Sequence, residues 1–136
     1  MCIGAVFFTA ILAVSCASRQ AAINNNLSPA ELIQRGQEAS DRNRFSAALQ
    51  YYAAVIERFP LDIDSILAAE YETAFIHYKQ KKYDIAKIEF NNILERYNIP
   101  DEALLPQSFK ILSRMMLNRI SEIENRRSKR TGQIQT

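Results

Sequence analysis

Arg44-Phe45-Ser46-Ala47-Ala48-Leu49-Gln50-Tyr51-Tyr52 returns, from position 44 to position 82 and therefore 38 residues on, as Lys82-Tyr83-Asp84-Ile85-Ala86-Lys87-Ile88-Glu89-Phe90. A cation, an aromatic residue, an alanine and a second aromatic residue recur at one spacing. Both copies also close alike, Val55-Ile56-Glu57-Arg58-Phe59 being answered by Ile93-Leu94-Glu95-Arg96-Tyr97. Self-similarity at a fixed period marks stacked supersecondary units, each of which buries its apolar face only against a neighbour. Upstream of the first copy, Ser28-Pro29-Ala30-Glu31 is a capping box, with proline at the first helical position, where its missing N–H costs nothing. Pro60, Pro100 and Pro106 fall where apolar periodicity lapses, so they mark boundaries. No segment alternates with period two. The pattern predicts an all-α chain of five helices, about 29–42, 45–59, 64–80, 83–97 and 104–127, with Asp64 as the N-cap of the third.

The repeat resembles the tetratricopeptide repeat (TPR), a helix-turn-helix unit. With Pro29 opening the first unit, Leu32, Gly36, Phe45, Ala48, Tyr52, Val55 and Pro60 fall on that family's signature positions. Ala74, Tyr83, Ala86, Phe90 and Ile93 do so in the second, where Glu70 and His77 depart from it. The resemblance implies that Gly36 and Ala48 are small because the paired helices cross closely, and that Tyr52 and Val55 fill the gap toward the next unit. His77 reads as a packing residue or groove edge. Two units leave an apolar face open. The fifth helix, with Phe109, Leu112, Met115 or Met116, Ile120 and Ile123 on one stripe, suits a capping helix, or alternatively a half-used partner surface. The expected fold is thus an α-solenoid of two TPR units plus a C-terminal capping helix over residues 28–127, followed by a disordered basic and polar tail, 128–136.

Composition narrows the chemistry. The 136 residues carry a formal net charge of +2, three glycines, one histidine and two cysteines. Only Gly36 lies between Gly4 and Gly132, which leaves no material for a glycine-rich phosphate loop. One histidine and two cysteines do not supply the usual zinc ligand set or a nucleophile-histidine pair. No catalytic residue, metal, cofactor or small-molecule substrate is expected, and no nucleic-acid partner. The carboxylate pairs Asp62/Asp64 and Glu122/Glu124 are spaced i, i+2, which splays them apart on a helix.

Residues 1–15, MCIGAVFFTAILAVS, carry no charge and are too short to span a bilayer, so they read as a signal peptide, although Met1-Cys2-Ile3 lacks the usual opening cation. Leu12-Ala13-Val14-Ser15-Cys16 resembles a bacterial lipobox. That resemblance implies cleavage before Cys16 and a covalent lipid there, a diacylglyceryl group on its sulfur with palmitate among the acyl chains; the other reading is an uncleaved anchor or a buried helix. Residues 16–27 then form a flexible tether. The run Arg126-Arg127-Ser128-Lys129-Arg130 reads as a solvated helix end, or as a site for anionic headgroups.

Taken with the lipobox, "RFP" at 58–60 and "HYKQKKYDIAKIEFNNILERYN" at 77–98 resemble the first two repeats of the outer-membrane lipoproteins that form the D component of the β-barrel assembly machinery. The resemblance implies a non-catalytic adaptor, lipid-anchored on the periplasmic face of the outer membrane, whose partners are envelope or barrel-assembly proteins. The alternative is a scaffold for cell-wall or division proteins. In a TPR array the first helix of each unit lines the concave face. That implies a partner-binding groove containing Gln37 and Asp41 from the first unit and Tyr71, Phe75, Tyr78 and Lys79 from the second. The three rings would form a trough ending in a cation, or else pack beneath a neighbouring helix.

Overall fold

A computed structural model describes residues 23–134. The expected signal peptide and Cys16 lie outside them. The described chain is helical throughout: α1 (Pro29–Asp41), α2 (Phe45–Arg58), α3 (Ile63–Lys79), α4 (Tyr83–Glu95), a short 3₁₀ turn (Glu102–Leu104) and α5 (Gln107–Ile134). Each helix packs on the one before it, and α3 also touches α1 as α5 touches α3. The odd-numbered helices therefore share one layer and run parallel, with α2 and α4 behind them.

Local chemistry accounts for the boundaries. Ser28 closes the capping box with Glu31 in both directions. The cap of α3 is Asp62 and not Asp64: its carboxylate accepts from the Ser65 N–H at 3.1 Å and from the Ser65 hydroxyl at 2.7 Å. The turn has already closed at Asp62, whose own N–H bonds the Phe59 carbonyl, so the cap sits two residues earlier than the sequence suggests and the helix begins at Ile63. Both hairpins turn the same way. Arg44 N–H reaches back to the Ala39 carbonyl and Asn43 N–H to Ser40, and Lys82 and Lys81 repeat this with His77 and Tyr78. This is the Schellman arrangement, and it forces Asn43 (φ 56°) and Lys81 (φ 62°) into the left-handed region that glycine usually fills.

Two core clusters result. The first gathers Leu32, Ala48, Tyr52 and Val55 with Ala69 and Ile76 of α3; the second gathers Leu67 and Ala74 of α3 with Ala86, Phe90, Ile93 and Ile120. Phe109, Met116 and Leu117 of α5 pack on the second cluster, while Met115 and Ile111 remain exposed. Tyr52 lies over Gly36 within its own hairpin, since a Cβ built on Gly36 would stand 2.3 Å from the ring.

The C-terminal expectation needs correction. Residues 128–134 continue α5 and are not a disordered tail. Nothing in Asn125–Arg130 breaks a helix, Thr131 bonds the Arg127 carbonyl, and Arg126 pairs with Glu122 one turn back. The start also moves, from 104 to Gln107, because Pro106 disfavours helical backbone at Leu105, which is extended.

Candidate functional site

Of the six residues expected to line a groove, Gln37, Asp41, Phe75 and Lys79 lie along the seam between α1 and α3, while Tyr71 and Tyr78 pack toward α4 and α5. Gln37 donates from Nε2 to Glu72 Oε1 at 2.9 Å. Lys79 Nζ donates to Ser40 Oγ at 2.8 Å and stands 4.0 Å from Asp41 Oδ1. The same ammonium sits 5.3 Å from the Phe75 ring centroid and 5.9 Å from that of Phe45. Phe75 lies between Tyr71 and Tyr78, stacked on both at 6.1 and 5.8 Å. Rings at positions 71, 75 and 78 meet because i, i+4 and i+7 share one helix face.

The rings are not equivalent. Tyr71 turns away from the seam and into the second core, 5.6 Å from Phe90 and 5.9 Å from Phe109. Burial, with a smaller push from the Glu72 carboxylate, holds its phenol above the ordinary range. Tyr78 leans on Tyr83 at 5.7 Å and accepts from Arg119 Nε at 3.2 Å. Phe75 and Lys79 are therefore the centre of what the seam offers, with Gln37 and Asp41 exposed beside them and Tyr71 as the floor beneath. The trough reading and the packing reading each describe part of this row.

Ser40, which the repeat register also places on the inner face of α1, completes the site together with Glu72 and Arg119, and those two were missed in the sequence. Their signal is a register. Residue 37 meets 72 and residue 40 meets 79, whereas the repeat pairs 37 with 75, and the offset between parallel helices of different units is not carried by the repeat period. His77 faces away from this seam. Its Nδ1 lies 2.7 Å from Glu89 Oε2 on α4, so it is a packing residue and not an edge of the groove. Chemically the seam offers aromatic surface, one ammonium and paired carboxylates, the ingredients of a docking surface. Among the described residues no group of three His, Cys, Asp or Glu side chains converges as metal ligands would, and no helix is long and apolar enough to cross a membrane.

With the geometry in place, the chain can be set beside known proteins. It is similar to an uncharacterized protein of Treponema pallidum (strain Nichols). The two are 33% identical over 108 residues, covering 78% of this chain and 43% of that protein. The chain thus spans less than half the length of the curated relative it matches. No protein-family model matches it. No solved structure matches it.

Proposed function

We propose that this chain is a non-catalytic adaptor built on two TPR-like hairpins, tethered to a bacterial envelope membrane through a lipid on Cys16 and working through protein contacts. The observation that carries the reading is the α1–α3 seam, where Lys79 stands over Phe75 with the exposed Asp41 beside its ammonium and the exposed Gln37 bonded across to Glu72. An aromatic face beside a fixed cation gives a partner segment both apolar area and a charge to orient on. The parallel odd-numbered helices and the shared hairpin geometry support the TPR-like reading. The sequence resemblance directs the choice of partner toward barrel assembly at the periplasmic face of the outer membrane.

Crosslinking in cells followed by purification tests it. Recovery of a barrel-assembly subunit, reduced by Phe75→Ala and by Lys79→Ala while circular dichroism stays native, is the expected result. Recovery of cell-wall synthases instead replaces the partner class with the scaffold alternative. Capture per folded molecule that is unchanged in both variants ends the seam as a docking site. Cys16→Ala is expected to abolish fatty-acid labelling and free the protein from the membrane fraction, and continued labelling removes the anchor from the proposal.

A further inference from the structure

The formal charge of +2 conceals a separation of charge along the helix axes. Because α1, α3 and α5 run parallel, their C-terminal ends and the two hairpin turns lie at one end of the molecule. That end carries Arg42 and Arg44 in the first turn, Lys81 and Lys82 in the second, and the Arg126–Arg130 run on α5, all exposed. Beyond Glu124 the described side chains of α5 are exposed, and Arg127 still rests over Tyr83, so the helix runs on for residues 128–134, about 10 Å past that contact. The carboxylates nearby are few and mostly engaged. Asp84 and Glu124 share Lys87, Asp41 faces Lys79, and Glu122 stands 3.8 Å from Arg126. At the opposite end the turns bear Glu57, Asp62, Asp64, Asp101 and Glu102. The cations there are committed, Arg58 to the carbonyls of Ile23 and Asn24, Arg96 to Glu70 and Lys110 to Glu102.

Folding accounts for only part of this placement: Arg42 is the C-cap of α1 and Lys81 follows the C-cap of α3, where a helix dipole favours a cation. Cations at the C-terminus of α5 suit its dipole, but Arg44 and Lys82 occupy the N-cap positions of α2 and α4. A positive charge is unfavourable there, and Ser, Thr, Asp or Asn would cap the helix. Neither helix has a side-chain cap. Lys81 adds a left-handed backbone that glycine would adopt more easily. The repeat thus keeps a cation at the N-cap of its second helix in both units, against local preference.

We propose that this basic end binds an anionic lipid surface. The cations come from three separate segments on long exposed side chains, which suits mobile headgroups better than a shaped pocket. Polybasic clusters of this size bind acidic bilayers with about 1 kcal/mol per charge near the surface. Nucleic acid fits less well, because the rings at this end are half-buried and already carry cations: Phe45 lies beneath Lys79 and Tyr83 beneath Arg127, 5.0 Å from its guanidinium carbon, which leaves little open ring face for stacking bases.

Co-sedimentation of the full chain with phosphatidylcholine vesicles, with and without phosphatidylglycerol, is the test. The expected result is stronger binding to the anionic vesicles, lost at high salt. That excess should fall at least about tenfold in Arg42→Gln/Lys81→Gln/Lys82→Gln and again in Arg126→Gln/Lys129→Gln/Arg130→Gln. Binding to neutral vesicles serves as the baseline for the apolar N-terminal segment and should not change. Equal binding to both vesicle types overturns the proposal, as does an excess that survives in both variants. A short DNA duplex that binds more tightly than the anionic vesicles, and loses affinity in the same variants, reassigns the surface to nucleic acid.

Discussion

The two hairpins share a plan and solve their crossings differently. In α1–α2 a tyrosine ring lies on a glycine, and the Tyr52 hydroxyl is buried with no hydrogen-bond partner. In α3–α4 the matching positions are Ala74 and Phe90, both fully buried, with no hydroxyl to accommodate. The inner faces differ as well, polar on α1 (Gln37, Ser40, Asp41) and aromatic on α3 (Tyr71, Phe75, Tyr78). One repeat period therefore fixes where helices cross without fixing which side chains fill the crossing, and the functional asymmetry of the molecule lives in that freedom.

Phe90→Ala tests the second crossing most severely. It should cost about 3–5 kcal/mol in urea-induced unfolding, since the ring is wholly enclosed and its removal leaves a cavity among Leu67, Ala86 and Ile120. Next comes the glycine. Gly36→Ala places a methyl against the Tyr52 ring and should cost about 1–3 kcal/mol by overpacking, despite the better helix propensity of alanine. Ala74→Gly in the other hairpin should cost about 1–2 kcal/mol, the intrinsic penalty of a helical glycine together with the loss of a fully buried methyl. A stabilising Gly36→Ala, the result that helix propensity alone would give, would break the comparison.

Smaller effects belong to the caps. Ser28→Ala should cost about 1 kcal/mol. Hydrogen bonds from the Ser28 backbone and side chain hold the Glu31 carboxyl below its ordinary value, and those from Ser65 do the same for Asp62. Both carboxylates bind protons more weakly when folded. Their contribution is full above the unfolded-state values of 4.5 and 3.8 and drains away as the pH falls through the lower folded-state values. Unfolding midpoints followed from neutral pH into acid should show this slope, and Ser28→Ala should flatten the part due to Glu31. Smallest is Tyr52→Phe, which removes an unpartnered hydroxyl and should change stability by less than about 1 kcal/mol, in either direction.

The sequence disclosed helices α1 to α4 to within a few residues, because a capping box, prolines and a repeated small-aromatic pattern are local signals. It misplaced the cap of α3, since Asp62 and Asp64 are equally good caps and only the Phe59–Asp62 turn decides between them. It stopped α5 too soon, because a polar, basic run reads as a tail when nothing in it is buried. At the seam the residue types were legible and their partners were not. Gln37 with Glu72, and Tyr78 with Arg119, depend on how one unit is set against the next, which is a property of packing.

Helix α3 serves both cores, giving Ala69 and Ile76 to one and Leu67 and Ala74 to the other. Neither hairpin can open its apolar interior without also stripping a face of this shared helix. In native-state hydrogen exchange the amides at the centre of α3 should accordingly be the last to trade with solvent, reached only by global opening, and those of 125–134 on α5 the first. The molecule then has one cooperative heart and one freely fraying limb, and the basic run lies on the limb.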